Sequence, residues 1–337
     1  MAVTIRDVAK RLNLSITTVS RALDGYEDVA EETRQLVERT AKEMGYRPNP
    51  AARKLRLKRS EALGFIMPTS EPRYTEPFFA EFIAGLGDEA NGRGYDMLLS
   101  QAEPGSEAEQ SIYQRWMRAR KVDGFVLNRL RLQDWRVHYL GSNRFPFVTL
   151  QHSADDIDHH SIQVNGRQGF VILVRQMHER GHQRIAYIGA QMDLVIQQER
   201  FAGYREGLAS LALPYKPGLV ARGDLTRQGG FQAAIELLAL EQPPTAILCI
   251  DDLTALGVLD AAHQLGLAVG VDLAITGFDG IHEGLHSSPP LTTLDQSIYR
   301  LARELASILI GLIAGEPPRQ GVLRIDPSLV QRQSSGS

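Results

Sequence analysis

The chain has 337 residues, of which 43% are hydrophobic and 23% charged, and its formal net charge is −3. This length suits two or three domains, and the composition is that of an ordinary globular protein. Its one cysteine, Cys249, excludes a disulfide framework and a cysteine metal site, and it lies in an apolar run that predicts a core position. There is neither an apolar stretch of roughly 18 residues nor a signal-peptide pattern, so we expect a cytoplasmic protein.

Residues 4–25 predict two short helices joined by a tight turn. Thr4 and Asp7 are placed to cap the first helix, and Ser15 can cap the second. Each helix has one apolar face, because its hydrophobic residues recur at helical spacing. These residues are Ile5, Val8, Ala9 and Leu12 in the first helix, and Val19, Ala22 and Leu23 in the second.

The outer face of the second helix carries the side chains expected of a helix that reads the major groove of DNA. Arginine can bond both acceptors of a guanine edge, threonine can donate or accept, and isoleucine can contact a thymine methyl. We therefore predict base contacts for Ile16, Thr17 and Arg21. A helical hairpin with a merely polar outer face is the alternative that spacing alone leaves open. Predicted contacts to the DNA backbone are Thr4, Ser15, Thr18, Ser20 and Thr33.

A third helix is predicted over residues 31–44, with Gly45 ending it, and a basic segment follows. Residues 1–60 hold 13 Lys and Arg against 8 Asp and Glu, whereas the remainder holds 24 against 32. Positive charge is thus concentrated at the end that would meet DNA, although a solvated basic linker is also consistent with the run.

Residues 47–60, RPNPAARKLRLKRS, resemble a hinge that forms a short helix only when it docks on DNA. Leu55 is an apolar side chain among basic ones, as expected of a wedge inserted between base steps. We predict that Leu55 contacts bases and that Asn49, Arg53 and Arg56 contact the DNA backbone.

From residue 62 onward, apolar strands alternate with helical patterns, which predicts parallel sheets. About 270 residues of this alternation exceed one comfortable core, so we expect two lobes. The predicted fold class is an all-α helix-turn-helix N-terminal domain followed by an α/β core of two doubly wound lobes. The candidate strands are residues 62–67, 95–100, 122–128, 145–150, 184–190, 245–250 and 273–278.

Polar side chains follow several of these strands, at the edge where open α/β sheets bind ligands. Carboxylates accept hydrogen bonds from sugar hydroxyls, amides and arginine donate them, and an aromatic ring covers the apolar side of a pyranose. The sequence therefore predicts a site for a hydroxyl-rich ligand. Its candidate residues are Asn128, Gln151, His152, Asp251, Asp252, Asp279, Arg200, Tyr74, Phe78 and Phe79.

Structural roles explain some of these residues equally well. Asp252 is consistent with a helix cap, Phe78 and Phe79 with core positions, and Asp279 with the start of a turn. Periodicity alone cannot bring the candidates together in space.

The chain resembles the LacI/GalR family of bacterial transcription regulators along essentially its whole length. The resemblance rests on TIRDVAKRLNLSITTVSRALDG, NPAARKLR, RFAGYREGL, DDLTALGVLDAA, GFDG and PPLTTLDQ. It implies a homodimer that binds a near-palindromic operator, with paired hinge helices in the minor groove. It also implies periplasmic-binding-protein-like lobes with a small effector between them.

The resemblance implies specific effector contacts. Gln151 stands where many sugar-responsive members carry an acidic residue, and Leu225 where some carry an aromatic residue, so the aromatic contact would come from Tyr74 or Phe79 instead. The implied contacts are Asn128, Arg200, Asp251, Asp279 and Gln296, with Gln151 beside them.

The predicted domains are residues 1–48 for the DNA-binding head, 49–60 for the hinge, 61–330 for the core and 331–337 for a disordered tail. In this family the chain crosses between the lobes near Ser161, Leu291 and Val322. The lobes would then comprise 61–161 with 292–321, and 162–291 with 322–330. No leucine heptad follows the core, so we expect a dimer.

The predicted function is sequence-specific transcriptional repression controlled by a small effector, most simply a sugar or glycoside of carbohydrate catabolism. A corepressor that senses a nucleobase or another ligand is an alternative, and a solute-binding protein is a more distant one. Residues 155–160, DDIDHH, are the best material for an enzyme, but their spacing favours a solvated loop. We predict no enzyme activity, no cofactor, no metal site and no membrane partner.

Overall fold

The computed structural model describes residues 3–23, 26, 28–46, 59–69, 76–152, 157–316 and 321–336. The chain forms two compact units, residues 1–60 and 61–337, which are described separately below. Five predicted site residues lie outside the described residues, namely Asn49, Arg53, Leu55, Arg56 and Tyr74.

The first unit contains the three predicted helices. They are α1 (Ile5–Leu12), α2 (Ile16–Leu23) and α3 (Glu31–Glu43), the last ending one residue before the predicted Met44. The Asp7 carboxylate accepts hydrogen bonds from the Thr4 backbone N–H at 2.9 Å and the Thr4 hydroxyl at 2.7 Å, which fixes the start of α1. A small apolar core includes the fully buried Val8, Val19, Ala22 and Val37.

We call the lobe that begins at residue 62 the N-lobe, and it contains a six-stranded parallel sheet in the order β11-β5-β4-β3-β1-β2. Helices α4 (Pro77–Gly92) and α11 (Ile298–Ala314) pack tightly together because Gly85 has no side chain, and a Cβ there would lie 2.3 Å from the Tyr299 carbonyl oxygen. Two further helices, α5 (Glu107–Arg118) and α6 (Trp135–Ser142), enclose a second apolar cluster. The strands are β1 (Ala62–Pro68), β2 (Asp96–Ala102), β3 (Gly124–Leu127), β4 (Phe147–Leu150), β5 (His160–Val164) and β11 (Val322–Ile325).

The C-lobe contains a second six-stranded sheet in the order β12-β10-β9-β8-β6-β7, parallel except for β12. Cys249 is fully buried at the end of β8, as predicted. The strands are β6 (Ile185–Gly189), β7 (Val220–Arg222), β8 (Ala246–Cys249), β9 (Ala274–Asp279), β10 (Thr292–Asp295) and β12 (Ser328–Val330). The helices are α7 (Gly166–Glu179), α8 (Val195–Ser210), α9 (Arg227–Leu238) and α10 (Asp252–Gln264).

The chain passes between the lobes three times, and each crossing lies a few residues later than predicted. β5 and β11 belong to the N-lobe sheet and β10 to the C-lobe sheet, so the crossings follow Val164, Asp295 and Ile325. The predicted positions near Ser161, Leu291 and Val322 are corrected because β5, β10 and β11 each belong, along their whole length, to the lobe that the chain is about to leave.

The predicted disordered tail is another correction. Residues 331–336 pack on the C-lobe sheet, where the Ser334 hydroxyl accepts the Thr292 backbone N–H at 2.8 Å and donates to the Ile275 carbonyl at 2.7 Å. Ser334 and Ser335 are both buried. Small hydroxyl residues suggested disorder by composition, but here they satisfy backbone groups at the edge of a sheet. Among the described residues, no helix has the length and apolar character needed to cross a membrane.

Candidate functional site

The outer face of α2 brings the three predicted base contacts together. Ile16, Thr17 and Arg21 share an open surface with Ser20 and with Tyr26, which was not among the predicted contacts. Ile16 is 45% exposed, so its side chain is available for contact with a partner. This surface has the mixture of donor, acceptor and methyl groups that major-groove recognition requires.

Arg21 is held in place on this surface. Its Nε donates to the Asp28 carboxylate at 3.2 Å, and its guanidinium lies 4.9 Å from the centre of the Tyr26 ring. An exposed ion pair of this kind contributes only about 0–1 kcal/mol, so Arg21 can exchange Asp28 for a stronger partner.

Several predicted backbone contacts have structural roles in the helices. The Ser15 hydroxyl accepts the Thr18 backbone N–H at 2.9 Å and lies 2.8 Å from the Thr18 hydroxyl, so it caps α2. Thr4 caps α1, and Thr33 is half-buried on α3. Capping leaves these side chains near helix N-termini, where phosphate is favoured electrostatically.

A pocket lies between the two lobes, at the carboxyl ends of strands from both sheets. The space among its lining residues amounts to about 570 Å³, part of which is open to solvent. Six of the eight predicted effector contacts line it. They are Asn128 and Gln151 from the N-lobe, Arg200, Asp251 and Asp279 from the C-lobe, and Gln296 at the second crossing.

The structure corrects the prediction for Phe79. This residue is 2% exposed and packs against Phe65, with ring centres 6.0 Å apart, whereas its neighbour Phe78 lines the pocket. Adjacent residues on a helix point in different directions, so one faces the core when the other faces the cleft. Leu225 also lines the pocket, as an aliphatic rather than an aromatic surface.

Arg200 anchors a buried polar group at the base of the pocket. It donates from Nη1 to the Ile250 carbonyl, and its Nη2 lies 3.5 Å from the Asp279 carboxylate. The Gln296 amide donates to the same carboxylate at 2.6 Å. Burial raises the pKa of Asp279 well above its usual range, and the charge of Arg200 opposes that rise.

Two adjacent aspartates have distinct roles next to this group. Asp251 caps α10 by accepting the Thr254 backbone N–H at 2.8 Å, and it also lines the pocket. Asp252 is fully buried and accepts the backbone N–H groups of Gly280 and Ile281 at 2.8 and 2.9 Å. Asp252 therefore positions the loop that follows Asp279, although the sequence marked it only as a possible ligand or a cap.

Sequence reasoning missed an ion pair in the pocket wall. Glu76 precedes α4, Arg129 follows β3, and the Glu76 carboxylate accepts from Arg129 Nη1 at 3.0 Å and from its Nη2. Burial raises the pKa of Glu76, while the charge of Arg129 opposes the rise. The two residues are 53 positions apart, so no local pattern could have paired them.

Three buried polar atoms at the pocket have no hydrogen-bond partner among the described residues. These atoms are Asn128 Nδ2, Gln151 Oε1 and Arg200 Nε, and the three residues are 6%, 4% and 3% exposed, respectively. Buried polar atoms in folded proteins are almost always paired, by protein groups or by water, so these three are available to a ligand that enters the pocket.

The backbone is strained around the same pocket. Gln151 and Asp279 have φ of 75° and 124°, and Arg129 and Leu225 have φ of 50° and 66°. Side chains other than glycine adopt such angles at a free-energy cost, and they cluster at functional sites. Here the angles turn residues at strand ends toward the cleft.

The described part of the acidic and histidine-rich segment, residues 157–160, includes a core position. His159 is buried and stacks between Phe147 and His152, with ring centres 5.5 and 4.9 Å away, so its prediction as part of a solvated loop is corrected. Across the ranges that the structure describes, no group of three or more His, Cys, Asp or Glu side chains is arranged to hold a metal ion.

Comparison with known proteins identifies the family. A family of bacterial regulatory proteins, the lacI family, matches residues 4–49, and a periplasmic binding protein-like domain matches residues 174–335. The HTH-type transcriptional repressor CytR of Escherichia coli (strain K12) is 32% identical over 334 residues, which cover 99% of this chain and 96% of CytR. This chain belongs to the LacI family. It is a DNA-binding transcriptional repressor, and its relatives CytR and PurR are transcriptional repressors rather than enzymes.

Solved LacI-family structures share the fold. The Lac repressor dimer bound to operator and the anti-inducer ONPF superposes with a TM-score of 0.82 at 27% identity, over 100% of both chains. The complex of the transcriptional regulator CelR with cellobiose gives 0.76 at 28% identity, over 98% of this chain and 99% of CelR. The predicted family and fold class are therefore confirmed.

Proposed function

We propose that this LacI-family repressor binds a near-palindromic operator as a homodimer and is controlled by a sugar or glycoside in the interlobe pocket. The observation that carries the effector proposal is the set of unpaired buried atoms on Asn128, Gln151 and Arg200. A ligand with several hydroxyls supplies both the donor that Gln151 needs and the acceptors that the other two need.

The carboxylates of the pocket support the same ligand class. Asp251 and Asp279 border the cavity from the C-lobe, and carboxylates accept hydrogen bonds from vicinal hydroxyls. Phe78 and Leu225 supply apolar surface for the C–H faces of a sugar ring. The CelR structure with cellobiose is a related example of a sugar-bound regulator.

The α2 surface supports operator recognition by this head. Arg21 would bond a guanine edge, while Ile16 and Thr17 would contact neighbouring bases. The Lac repressor structure, a dimer on its operator, supports the proposed assembly. Proposed contacts to the DNA backbone are Thr4, Ser15, Thr18, Ser20 and Thr33, and the hinge contacts Asn49, Arg53, Leu55 and Arg56 remain predictions.

Effector and operator are coupled in this proposal because the ligand contacts both lobes. Asn128 and Gln151 belong to the N-lobe sheet, whereas Arg200 and Asp279 belong to the C-lobe. A ligand that bonds both groups favours one interlobe arrangement over others, and it thereby shifts the population that binds DNA.

The test is operator binding measured by fluorescence anisotropy at fixed salt, since DNA affinity depends steeply on salt. The operator is first selected from a random DNA pool. The complex of protein and operator is then titrated with neutral mono- and disaccharides and, in parallel, with nucleosides and nucleobases. A sugar that changes operator affinity supports the proposal and shows whether it induces or corepresses. A response to nucleosides alone overturns the sugar assignment.

A further inference from the structure

The ion pair between Glu76 and Arg129 forms part of the wall of the effector pocket. Both residues line the cavity, and their side chains are 18% and 20% exposed. Neither was expected among the effector contacts, and no pattern in the sequence accounts for a charged pair there. Both side chains are largely buried, so the pair contributes strongly to the electrostatics of the pocket.

Arg129 is held firmly in its position. Its guanidinium lies 5.1 Å from the centre of the ring of the buried Phe79. The buried Arg136 donates to the carbonyls of Asn128 and Arg129, each at 3.2 Å, and so fixes the backbone. The Arg129 side chain consequently stays at the pocket whether or not Glu76 neutralises it.

Each guanidinium among the described lining residues faces a carboxyl group. Arg129 is paired with Glu76, and Arg200 is engaged by the Ile250 carbonyl and Asp279. The lining holds three carboxyl groups, those of Glu76, Asp251 and Asp279, and two guanidinium groups. A ligand carrying a carboxylate or a phosphate would have its charge desolvated beside Glu76, which is costly unless a cation is free to pair with it.

We infer that Glu76 is a specificity-determining residue that masks Arg129, so that the pocket accepts uncharged polyhydroxy ligands and rejects sugar acids and sugar phosphates. This inference rests on the proposed function, because it specifies which sugars the same pocket takes. Without the Glu76 charge, Arg129 would present a fixed fork of donors that matches carboxylate and phosphate oxygens.

The test replaces Glu76 by the isosteric glutamine in the full-length protein. Wild type, Glu76→Gln and Glu76→Gln/Arg129→Met are compared by isothermal titration calorimetry against matched probes. These are D-glucose with D-glucuronate and glucose 6-phosphate, D-galactose with D-galacturonate, and D-ribose with ribose 5-phosphate. Asp260→Asn is the control, because Asp260 forms an exposed ion pair with Arg227 that lies outside the pocket. Unfolding midpoints without ligand verify that each variant is folded.

We expect Glu76→Gln to bind at least one acidic probe about 10- to 100-fold more tightly than wild type does, which is the range of a hydrogen bond to a charged group. The double variant should show no such gain because it lacks the Arg129 guanidinium. Asp260→Asn should show none because it leaves Arg129 paired with Glu76. A gain restricted to Glu76→Gln supports the inference.

Two results would overturn the inference. One is that wild type binds an acidic probe as tightly as the neutral sugar, and the other is that Glu76→Gln gains affinity for none of the acidic probes. Failure of the proposed function would be seen in a different experiment. In that case neutral sugars would leave the operator affinity of wild type unchanged, whatever the calorimetry gives.

Discussion

Gln151 illustrates at the residue scale how a binding pocket lowers the stability of the empty protein. Its Oε1 is buried and unpaired, and such an atom costs about 1–3 kcal/mol. Methionine has a similar volume and no such oxygen. We therefore expect Gln151→Met to raise the free energy of unfolding by about 1 kcal/mol and to abolish the effector response, measured by urea denaturation and operator anisotropy.

Gln197→Met is the matched control for that prediction. The Gln197 side-chain oxygen is also buried, but it accepts hydrogen bonds from the Tyr187 hydroxyl at 2.9 Å and the Ala190 backbone N–H at 2.8 Å. The control should therefore be less stable than wild type. If Gln151→Met loses stability as Gln197→Met does, the Gln151 amide serves the fold and the prediction is wrong.

Arg21 is the residue whose loss should alter sequence recognition. Its ion pair with the exposed Asp28 is weak, so a bidentate contact to guanine can replace it. We expect Arg21→Ala to weaken operator binding by about 1–3 kcal/mol and to relax preference at one base position per half-site. The measurement is anisotropy with the selected operator and its single-base variants.

Arg39→Ala controls for the loss of charge in that experiment. Arg39 is exposed on α3 and lies outside the α2 surface, so its removal should weaken binding to all DNA sequences by similar amounts. An unchanged base preference in Arg21→Ala would contradict its assignment as a base contact.

At the scale of elements, Asp252 joins the start of α10 to the loop after β9. Burial raises the pKa of Asp252 from the usual 3.8 to about 6. Between these values the folded protein retains a proton that the unfolded chain releases, so the free energy of unfolding falls as pH rises. This group should contribute a loss of ~3 kcal/mol between about pH 4 and 6.

Replacing the ionisable group isolates its contribution. Asp279 and Glu76 also have raised pKa values, so the unfolding free energy of Asp252→Asn still depends on pH. We expect the difference between their unfolding free energies, measured in urea from pH 4 to 7, to change by the amount that Asp252 contributes. Parallel pH profiles for the two proteins would show that Asp252 does not titrate in this window.

The turn Gln333–Ser335 should be a stabilising element of the C-lobe. Ser334 satisfies a backbone N–H of β10 and donates to a carbonyl of β9. Ser334→Ala leaves both groups without this partner and should lower the free energy of unfolding by about 1–3 kcal/mol. Gln333→Ala, at an exposed position of the same turn, should have little effect. Equal stabilities of the two variants in urea would count against this role.

Elements with a strong local pattern could be predicted from the sequence, and the others depend on distant pairing. β1 and β6 are apolar runs on which strand propensity and burial agree. β10 consists of Thr-Thr-Leu-Asp, and β11 contains Arg324, so their short and partly polar sequences gave no signal. Both become strands only because a sheet built from remote residues offers hydrogen-bond partners.

The same limit applies to the pocket. Asn128, Gln151 and Asp279 could be predicted because polar residues at the carboxyl ends of parallel strands meet at one edge. The pair of Glu76 and Arg129 could not, since it joins separate loops. Phe78 and Phe79 were indistinguishable because which of two adjacent aromatics faces the core depends on how α4 is rotated against the sheet.

At the scale of the whole molecule, the two lobes are joined by three chain crossings that follow Val164, Asp295 and Ile325. Gln296 lies directly after the second crossing and donates to Asp279 in the pocket. Ligand contacts and interlobe connections are therefore adjacent in the structure. A ligand that orders this region changes the free energies of the interlobe arrangements, which is the requirement for allosteric control.

Thermodynamic linkage makes this coupling reciprocal. If the effector changes operator affinity by a given factor, the operator must change effector affinity by the same factor. We expect a factor in the range of about 5 to 150, measured by titrating effector into free protein and into the operator complex, both at one salt concentration. Gln151→Met should bring both factors close to one, because it removes an N-lobe contact to the ligand. Independent affinities in wild type would contradict control through the pocket and would leave the chain an operator-binding repressor without this effector.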